Sequence, residues 1–466
     1  MRNLKTIRGF GGEIVEPGDA TYDGYREVWN AMIDRRPGLI ARCTSADDVA
    51  AAIRHGREAG LEIAVKCGGH NVLGLSVTEG GLMIDLTPMG CVRVDPERRR
   101  AWVQGGSRLR TLDRTTLPHG LATTAGNVSH TGVGGLTLGG GMGWLARQFG
   151  LACDNVEAYT VVTADGRTVR ATATENPDLF WGLRGGGGNF GVVTEFEFRL
   201  HPTTGQALVA DLYFDPFDPA AVAALRAWRD LLPDAPRQAT LMSDTMTARD
   251  VPFLPALLNG RPVVTAGFVW VGDMAAARRY LETFRRIGTP VAEQVEEMPY
   301  VDLQSIGDER NQHGLRHYSA GHYLAELSDA AIDAFVARGI RAGGLEPDWS
   351  IMPGGGFQAY GGAIAEVGKD ESAFSNRASV VEFFAGGTWT DPTEDGVRMA
   401  ASRAWAATLE PFSSGTYVNV IADPGEEGVV RAYHSEQLSR LADLKRKYDP
   451  DNVFHLNQNI RPAAAG

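Results

Sequence analysis

Apolar positions between residues 40 and 200 recur in short runs that predict alternating strands and short helices. A helix is expected to begin after Ser45, because apolar residues at helical spacing follow this polar cap. A hairpin is expected at Asp165-Gly166, a dipeptide that favours a tight turn between two strands. The predicted strands of this region are Ile63–Lys66, Leu82–Leu86, Val92–Val94, Val156–Val162, Thr168–Ala173 and Phe190–Leu200.

The pattern changes near residue 205, where longer helical stretches alternate with strand-like ones. This mixture is typical of an α+β arrangement around an antiparallel sheet. The predicted helices are Ala220–Leu232, Met274–Ile287 and Asp329–Ala342, and the predicted strands are Leu208–Phe214, Val263–Trp270 and Val380–Phe384. The C-terminal segment predicts a strand over Gly415–Ile421, a helix over Gly428–Tyr448 and a polar tail.

Size and composition are those of an ordinary globular enzyme. The 466 residues are enough for two or three domains with buried cores, and 43% hydrophobic and 22% charged residues are usual fractions. The net charge of −12 argues against binding to nucleic acid. The one short basic run, Arg98-Arg99-Arg100, follows acidic residues and predicts a solvated hairpin tip.

The cysteine pattern and the start of the chain favour a reduced, cytoplasmic setting. The four cysteines have no C-x-x-C spacing, so neither a disulfide framework nor a zinc site is expected. Residues Met1–Lys5 lack the apolar core of a signal peptide, and no run approaches the roughly 18 apolar residues of a membrane span, so no membrane partner is expected.

Glycine is the compositional outlier, with 57 residues that are strongly clustered. Gly68-Gly69 separate a predicted strand from His70, and seven further glycines lie among residues 132–143. A backbone without Cβ atoms can approach a phosphate closely, and its N–H groups can bind the phosphate without many positive charges. The two segments therefore predict a channel for a long, phosphate-containing cofactor, with His70 facing it.

A third glycine segment, Gly186–Gly191, satisfies G-x-G-x-x-G, which alone is a weak signal. The Rossmann fingerprint requires a strand before the glycines and a helix after them. Here the helix-like Asp178–Arg184 precedes the glycines and the strand-like Val192–Phe198 follows them. A Rossmann site is therefore rejected, and no G-x-x-x-x-G-K-[ST] phosphate loop is present.

These segments resemble those of the vanillyl-alcohol-oxidase/PCMH-type flavoproteins, and in particular the berberine-bridge-enzyme-like group with its bacterial 6-hydroxy-D-nicotine-oxidase-like members. The resemblance extends over nearly the whole chain in the expected order. The matching segments are Val65–His70, Gly132–Trp144, Gly185–Phe196, Tyr360-Gly361-Gly362, Ala373-Phe374 with Arg377, Lys447–Phe454 and Asn457–Ile460.

The resemblance implies an α+β fold with a PCMH-type, two-part FAD-binding domain and a substrate domain built on an antiparallel sheet. The implied boundaries are residues 1–204 for the FAD-binding domain (core about 36–202), 205–414 for the substrate domain, and 415–466 for a C-terminal segment that returns to the FAD domain. It also implies that His70 is bonded covalently to the 8α-methyl carbon of the flavin. A neutral imidazole nitrogen is a competent nucleophile toward that electron-poor centre. Such a bond would anchor FAD and raise its reduction potential.

The chain departs from the family at the site of a second attachment. Many members carry Cys-Pro-Thr-Val-Gly, whereas this chain has Val128-Ser129-His130-Thr131-Gly132, with Val128 at the cysteine position. We therefore expect attachment through His70 alone, and Cys153, which lies beyond the loop, as at most a weak substitute. In the family, a residue of this loop influences oxygen access; Thr131 stands in that area, where an aliphatic side chain is usual, and the resemblance implies reaction with O2.

The cofactor-binding residues implied by the glycine segments and the resemblance form one set. They are His70, Lys66, Cys67, Gly68, Gly69, Asn71, Ser76, Gly126, Val128, Ser129, Gly132, Gly134, Gly135, Gly139, Gly140, Gly141, Gly143, Trp144, Gly191, Val192, Val193, Asn457 and Asn459.

The candidate catalytic residues are Tyr417, Tyr360 and Asn419. The family often draws a base from a Tyr-x-Asn-Tyr stretch, and here Tyr417-Val418-Asn419-Val420 retains the first Tyr and the Asn. Tyr417 is the first candidate for a base or a substrate-positioning group, and Tyr360 is expected at a cavity wall beside its glycines. Asn419 is expected to bond substrate or flavin. Because Val420 replaces the second Tyr, a mechanism without a fixed base also remains open.

Histidines supply further candidates. His130 is a candidate substrate contact on the flavin loop. His313, His317 and His322 are spaced too loosely for a predicted metal site, so an active-site wall or a structural role is favoured.

The function implied is an FAD-linked oxidase that transfers a hydride from a small organic alcohol, amine or secondary metabolite to flavin N5, with O2 as acceptor and H2O2 as product. Two alternatives remain open. One is a flavin-dependent dehydrogenase, or an oxidative cyclase or rearrangement enzyme of natural-product biosynthesis. The other is a flavin-binding module without catalysis. Hydrolases rank below these, since neither G-x-S-x-G nor H-E-x-x-H occurs. The oligomeric state is left open.

Overall fold

The computed structural model describes residues 6–249, 251–338, 348–423 and 425–464. Short strands and helices alternate in its N-terminal part, as the apolar pattern predicts. The strands are β1 Glu13–Val15, β2 Leu39–Arg42, β3 Ile63–Lys66, β4 Leu82–Asp85, β5 Val92–Asp95, β6 Arg100–Gln104, β7 Leu121–Ala122, β8 Val156–Val162, β9 Thr168–Ala171, β10 Val192–Arg199 and β11 His201–Pro202. The helices are α1 Tyr22–Arg26, α2 Ala46–Ala59, α3 Leu109–Thr116, α4 Val133–Leu138, α5 Ala146–Phe149 and α6 Pro177–Leu183.

Two sheets organise this part of the chain. The first has the order β1-β2-β4-β3, in which β4 pairs in parallel with both β2 and β3. The second is antiparallel with the order β5-β6-β10-β8-β9. Arg98 and Arg99 lie in the turn between β5 and β6, which confirms the predicted hairpin tip.

Local chemistry explains several of these elements. Ser45 caps α2 by accepting a hydrogen bond from the backbone N–H of Asp48, as expected for a serine before a helix. Gly60 ends the helix in the left-handed conformation. The buried face of α2, including Val49 and Ile53, packs on the first sheet. Gly166 adopts a positive φ in the β8–β9 hairpin, which confirms the predicted turn.

The middle of the chain forms one antiparallel sheet. Its order is β15-β12-β14-β13-β17-β18-β16-β19, which confirms the predicted α+β arrangement. The strands are β12 Gln206–Phe214, β13 Ala239–Thr247, β14 Pro262–Val271, β15 Ala292–Pro299, β16 Arg316–Leu324, β17 Gly354–Ala359, β18 Val381–Trp389 and β19 Ser413–Gly415. The remaining helices are α7 Pro219–Asp230, α8 Met274–Phe284, α9 Tyr300–Leu303, α10 Asp329–Ala337, α11 Ala363–Glu366, α12 Asp395–Leu409, α13 Glu426–Ala432 and α14 Ser435–Tyr448.

The helices α7, α8, α10 and α12 pack on one face of this middle sheet. Phe357 of β17 and Phe383 of β18 pack in one core with aromatic side chains of α7, α10 and α12, among them Trp228 and Trp405. Successive side chains of a strand point to opposite faces. Gln358 and Glu382, which are neighbours of these phenylalanines in the chain, therefore point away from the helices.

Three sequence predictions need correction or restriction. The strand predicted over Gly415–Ile421 is wrong, because β19 ends at Gly415 and Val418–Val420 form a 3-10 turn. The apolar residues of this stretch are buried against the N-terminal core, so their spacing reflects burial and not strand pairing. The helix predicted over Gly428–Tyr448 is interrupted between α13 and α14. The end of the predicted helix Asp329–Ala342 lies outside the described residues, as do Met1–Lys5.

The interruption between α13 and α14 has a structural cause. Tyr433 is buried, and its hydroxyl donates a 2.9 Å hydrogen bond to the carbonyl of Gly185. The backbone N–H of His434 bonds the hydroxyl of Ser375 instead of continuing the helical ladder. Tertiary partners therefore replace helical hydrogen bonds at this point.

None of the helices in the described part of the chain combines the length and the apolar character that a bilayer crossing needs.

A buried lysine fastens the C-terminal segment to the N-terminal part. Lys445 of α14 donates hydrogen bonds to the Asp449 carboxylate at 2.6 Å and to the carbonyls of Asn189 and Phe454 at 2.8 Å. The Asn189 side chain in turn accepts from the N–H of Ile460 and donates to the carbonyl of Gly186. This network holds the third glycine segment against the C-terminus.

Replacing Lys445 with methionine is expected to lower the free energy of unfolding by about 3 kcal/mol, because it leaves a buried carboxylate without its cation. Chemical denaturation of the two proteins measures the difference. Lys447→Met is the matched control, since Lys447 forms an exposed ion pair with Asp178 and its loss should cost less than about 1 kcal/mol. Equal destabilisation by the two substitutions would contradict the assignment.

Candidate active site

A cavity of about 500 Å³ lies where the N-terminal part, the C-terminal segment and the open face of the middle sheet meet. All three predicted glycine segments reach it. Of the predicted cofactor residues, those that line it are Cys67, Gly68, Gly69, His70, Asn71, Ser76, Gly126, Val128, Gly132, Gly134, Gly135, Gly191, Val192, Val193 and Asn457. Of the predicted catalytic residues, Tyr417 and Asn419 line it.

The other predicted residues lie behind the cavity wall. Lys66 is buried, and its ammonium group donates hydrogen bonds to the carbonyls of Tyr25 and Glu27. Ser129 bonds the carboxylate of Asp308 through both its N–H and its hydroxyl. Trp144 packs in a separate core with residues of the middle sheet. Gly139, Gly140, Gly141, Gly143, Asn459 and Tyr360 also lie outside the cavity lining.

The glycines serve two different purposes. A Cβ atom added to Gly135 or Gly188 would meet nothing within 4 Å, and both residues line the cavity. The backbone at these two positions leaves open space in which a large ligand can lie close to the main chain. Gly135 and Gly188 are together called the glycine cradle. In contrast, a Cβ on Gly68 or Gly132 would overlap the backbone of the other residue, so these two glycines let the first and second segments touch. The second segment also contains the helix α4, which the sequence analysis did not predict.

Four buried polar atoms in the cavity lining have no hydrogen-bond partner among the residues that the structure describes. They are Ser76 Oγ, Asn127 Oδ1, Gln358 Nε2 and Asn457 Oδ1. Buried polar atoms in folded proteins almost always have partners. Together with the glycine cradle, these atoms fit a polar ligand that would supply the missing bonds.

His70 belongs to a histidine cluster with His130 and His313. Its Nε2 atom lies 2.8 Å from Nδ1 of His130, and its Nδ1 atom has only a 3.5 Å contact with the hydroxyl of Thr131. The ring centroid of His313 lies 5.5 Å from that of His70 and 5.3 Å from that of His130. Trp29 stacks on His70 with a centroid distance of 4.9 Å.

The surroundings of the histidine cluster favour uncharged rings. Burial lowers the pKa of His70 well below its usual value, and the neighbouring imidazoles and Arg108 lower it further. Partial burial of its ring against the cluster, together with the nearby His130, also lowers the pKa of His313. The sequence analysis grouped His313 with His317 and His322, but only His313 joins the cluster. His317 stacks on Trp29, and His322 bonds Arg431 and the carbonyl of Ala406.

Tyr417 is tied to the second glycine segment. Its hydroxyl accepts hydrogen bonds from the N–H groups of Gly141 at 2.9 Å and Met142 at 3.4 Å, and from the Asn419 amide at 2.9 Å. Burial raises the pKa of this hydroxyl above its usual range. A phenol with a raised pKa stays protonated near neutral pH and is then rarely available as a base, so the observed contacts favour a positioning role. A role for Tyr417 as a base stays a prediction.

Tyr417→Phe is expected to lower the free energy of unfolding by about 2 kcal/mol, because it leaves buried N–H donors without an acceptor. Thermal or chemical unfolding measures the change. The matched control is Tyr448→Phe, since that hydroxyl has a 3.2 Å contact with a half-exposed carboxylate, that of Asp178, and its loss should have a small effect. If Tyr417→Phe has the same free energy of unfolding as the wild type, the Tyr417 hydroxyl does not stabilise the second glycine segment.

Glu382 is the main residue of the site that the sequence analysis missed. It lies on the open face of β18, lines the cavity and is 7% exposed. Its carboxylate accepts a 2.9 Å hydrogen bond from Tyr360, whose oxygen lies 3.0 Å from the hydroxyl of Tyr323. Burial raises the pKa of Glu382 to about 7, although the bond from Tyr360 opposes this shift.

A signal for Glu382 was present in the sequence, since it is the one charged residue in the apolar stretch Val380–Phe384. The residue predicted at the cavity wall, Tyr360, is 1% exposed and reaches the cavity only through Glu382. Other lining residues that were not predicted come from distant parts of the chain: Trp29, Asn127, Ser319, Gln358, Phe384 and Gln458.

The second candidate for cofactor attachment, Cys153, lies away from the cavity. It is fully buried in a 3-10 turn, and burial raises the pKa of its thiol. Val128, which stands at the cysteine position of the family pattern, does line the cavity.

Comparisons with known proteins agree with these features. The family model described as FAD binding domain matches residues 37–172, and the model described as Berberine and berberine like matches residues 416–461. An FAD-linked oxidoreductase of Dictyostelium discoideum is 30% identical over 97% of this chain and 95% of its own length. The (R)-6-hydroxynicotine oxidase of Paenarthrobacter nicotinovorans is 30% identical over 98% of each chain.

The fold has relatives among solved structures as well. The glucooligosaccharide oxidase of Acremonium strictum superposes with a TM-score of 0.84 at 26% identity, over 97% of this chain and 98% of its own. That protein is described as carrying a 6-S-cysteinyl, 8α-N1-histidyl FAD.

Proposed function

The chain belongs to the FAD-linked oxidoreductases with a berberine-like C-terminal segment, and on that premise we propose that it is an oxidase of a small organic alcohol or amine that uses O2 and releases H2O2. The observation that carries the proposal is the cavity in which the glycine cradle, His70 and the carboxyl group of Glu382 come together. The names of two relatives, a hydroxynicotine oxidase and a glucooligosaccharide oxidase, support the substrate class.

We assign FAD to the part of the cavity lined by the glycine segments. The residues that would hold it are Gly135 and Gly188, which leave open space, and Ser76 and Asn457, whose buried oxygens lack partners. Residues 1–204 and 415–466 form the FAD domain in this proposal, and residues 205–414 form the substrate domain. When bound, FAD supplies the two-electron acceptor of the reaction.

We assign the covalent attachment of FAD to Nδ1 of His70. The Nε2 atom of the same ring is engaged by His130, whereas Nδ1 has only the long contact with Thr131. The low pKa of His70 keeps the ring neutral, which a nucleophile needs. A second attachment is not part of the proposal, because Val128 stands at the cysteine position and Cys153 is buried away from the cavity.

The substrate-facing residues have distinct roles in this proposal. Glu382, when ionised, accepts the proton of the substrate O–H or N–H group. Tyr360 donates to the same carboxylate and fixes its orientation, and Tyr323 supports Tyr360. Ser319 and Gln358 lie nearby on the same open sheet face and offer hydrogen bonds to a polar substrate. Phe384 and Trp29 add apolar walls that exclude water from the reacting atoms.

An oxygen electrode tests the function. Purified protein is expected to be yellow and to consume O2 with a substrate from a panel of amines, alcohols and oligosaccharides, forming one H2O2 per substrate oxidised. Turnover with an artificial acceptor but without O2 consumption would make the protein a dehydrogenase. A colourless protein, or one that never reoxidises after chemical reduction, would overturn the proposal.

A further inference from the structure

We propose that His70, His130 and His313 form a binding site for one divalent transition-metal ion of the Zn²⁺ or Ni²⁺ type. One nitrogen atom from each ring lies within 4.8 Å of the corresponding atoms of the other two. The three residues come from three separate parts of the chain: the loop after β3, the loop just before the second glycine segment and the stretch before β16. Neither the family models nor the relatives assign a metal to these positions.

The donor set suits the ion. Imidazole nitrogens bind Zn²⁺, Ni²⁺ and Cu²⁺ well, at metal–nitrogen distances of about 2.0–2.1 Å. In tetrahedral geometry the ligand nitrogens then lie roughly 3.4 Å apart. The pair His70–His130, now at 2.8 Å, must open slightly, and the exposed His313 must move closer. The fourth position would be open to water, because His313 lies at the surface.

The protonation state favours metal binding. Metal ions compete with protons for imidazole lone pairs. Burial lowers the pKa of His70 and that of His130, which favours the unprotonated rings that a metal ion needs. Arg108 adds positive charge near the histidine cluster, and the Asp308 carboxylate offsets it at His130.

A further observation indicates that the ligands are held in place. Trp29 supports the segment that carries His313: it stacks on His317 with a centroid distance of 3.6 Å and donates a 2.6 Å hydrogen bond to the carbonyl of Asn311. Support of this kind orients ligands before the ion arrives.

The site persists when FAD is attached as proposed above. A bond from FAD to Nδ1 of His70 leaves the lone pair of Nε2 free, and Nε2 is the atom that faces His130. Only this step rests on the proposed function, since the closeness of the three rings is a feature of the protein structure itself. An ion at Nε2 then withdraws electron density from the imidazole that carries the flavin.

Calorimetric titration of the untagged, chelator-treated holoprotein with ZnCl2 and with NiCl2 tests the proposal. We expect one ion per chain with a Kd in the micromolar range. His313→Ala and His130→Ala should each weaken binding by more than about 100-fold, a larger loss than removal of a residue that only supports a ligand. The matched control is His119→Ala, an exposed histidine outside the histidine cluster, which should bind like the wild type.

A second readout comes from the flavin and from Co²⁺. Co²⁺ in place of Zn²⁺ should give visible bands of a tetrahedral ion, and Zn²⁺ should shift the flavin absorption in the wild type but not in His313→Ala. Absence of saturable binding, or binding that His313→Ala or His130→Ala leaves unchanged, would overturn the inference. Ultraviolet fluorescence of covalently bound flavin on a denaturing gel of the same samples distinguishes the metal-site proposal from the proposed function. A yellow protein without metal binding overturns only the metal site, and a colourless protein that binds one ion overturns only the proposed function.

Discussion

Replacing His70 with alanine is expected to remove all covalently bound flavin from the protein. In the wild type the denatured band on a gel should fluoresce under ultraviolet light, because a bond between the flavin and His70 survives denaturation. Alanine offers no nucleophile, and the two other rings of the histidine cluster cannot replace it, since neither His130 nor His313 lies in the cavity lining. Mass spectrometry of the intact chain should show the same loss as a missing FAD mass.

Cys153→Ser is the matched control for this experiment. Cys153 is the remaining family-based candidate for attachment, but it is 0% exposed and lies away from the cavity. Its replacement should leave the fluorescence of the denatured band at the wild-type level. A band from His70→Ala that fluoresces as brightly as the wild type would refute attachment at His70, and a dark band from Cys153→Ser would move the attachment to the thiol.

Glu382→Gln is expected to lower kcat/KM by about 10²–10⁴-fold, the usual contribution of a positioned general base. Glutamine keeps the shape and can still accept a hydrogen bond from Tyr360, but it cannot take up a proton. The effect should also appear in the pH profile. Burial raises the pKa of Glu382 to about 7, so the carboxyl is protonated and inactive below that pH. Wild-type activity should therefore rise through about pH 7, and this limb should vanish in the variant.

Two further variants sharpen this test. Tyr360→Phe removes a hydrogen bond that lowers the pKa of Glu382, so the rising limb should move to higher pH while activity persists. Glu366→Gln, an exposed carboxylate on α11, is the control and should match the wild type. If Tyr417 were the base, the limb would lie far above neutral pH, because burial raises the pKa of its hydroxyl. An unchanged profile in Glu382→Gln would rule out Glu382 as the base.

Much of the secondary structure and the family could be predicted from the sequence, because both depend on short-range patterns. The serine cap of α2, the strand before Gly68 and the hairpin at Gly166 need only neighbouring residues to form. The glycine segments and the C-terminal signature likewise identify an FAD-linked oxidoreductase, which the comparisons confirm. The covalent bond, the base and the use of O2 stay predictions.

The sequence alone determined local structure and cofactor class, since hydrogen bonds to near neighbours and glycine's freedom of approach are encoded over a few residues. Only the tertiary structure decided which side chains meet. Glu382 reaches the cavity because the helices cover the other face of β18, and His313 reaches His70 because Trp29 holds its segment. The same reason explains the failed predictions after Gly415 and at Tyr433, where burial and distant hydrogen-bond partners outweigh the local preference for a strand or a helix.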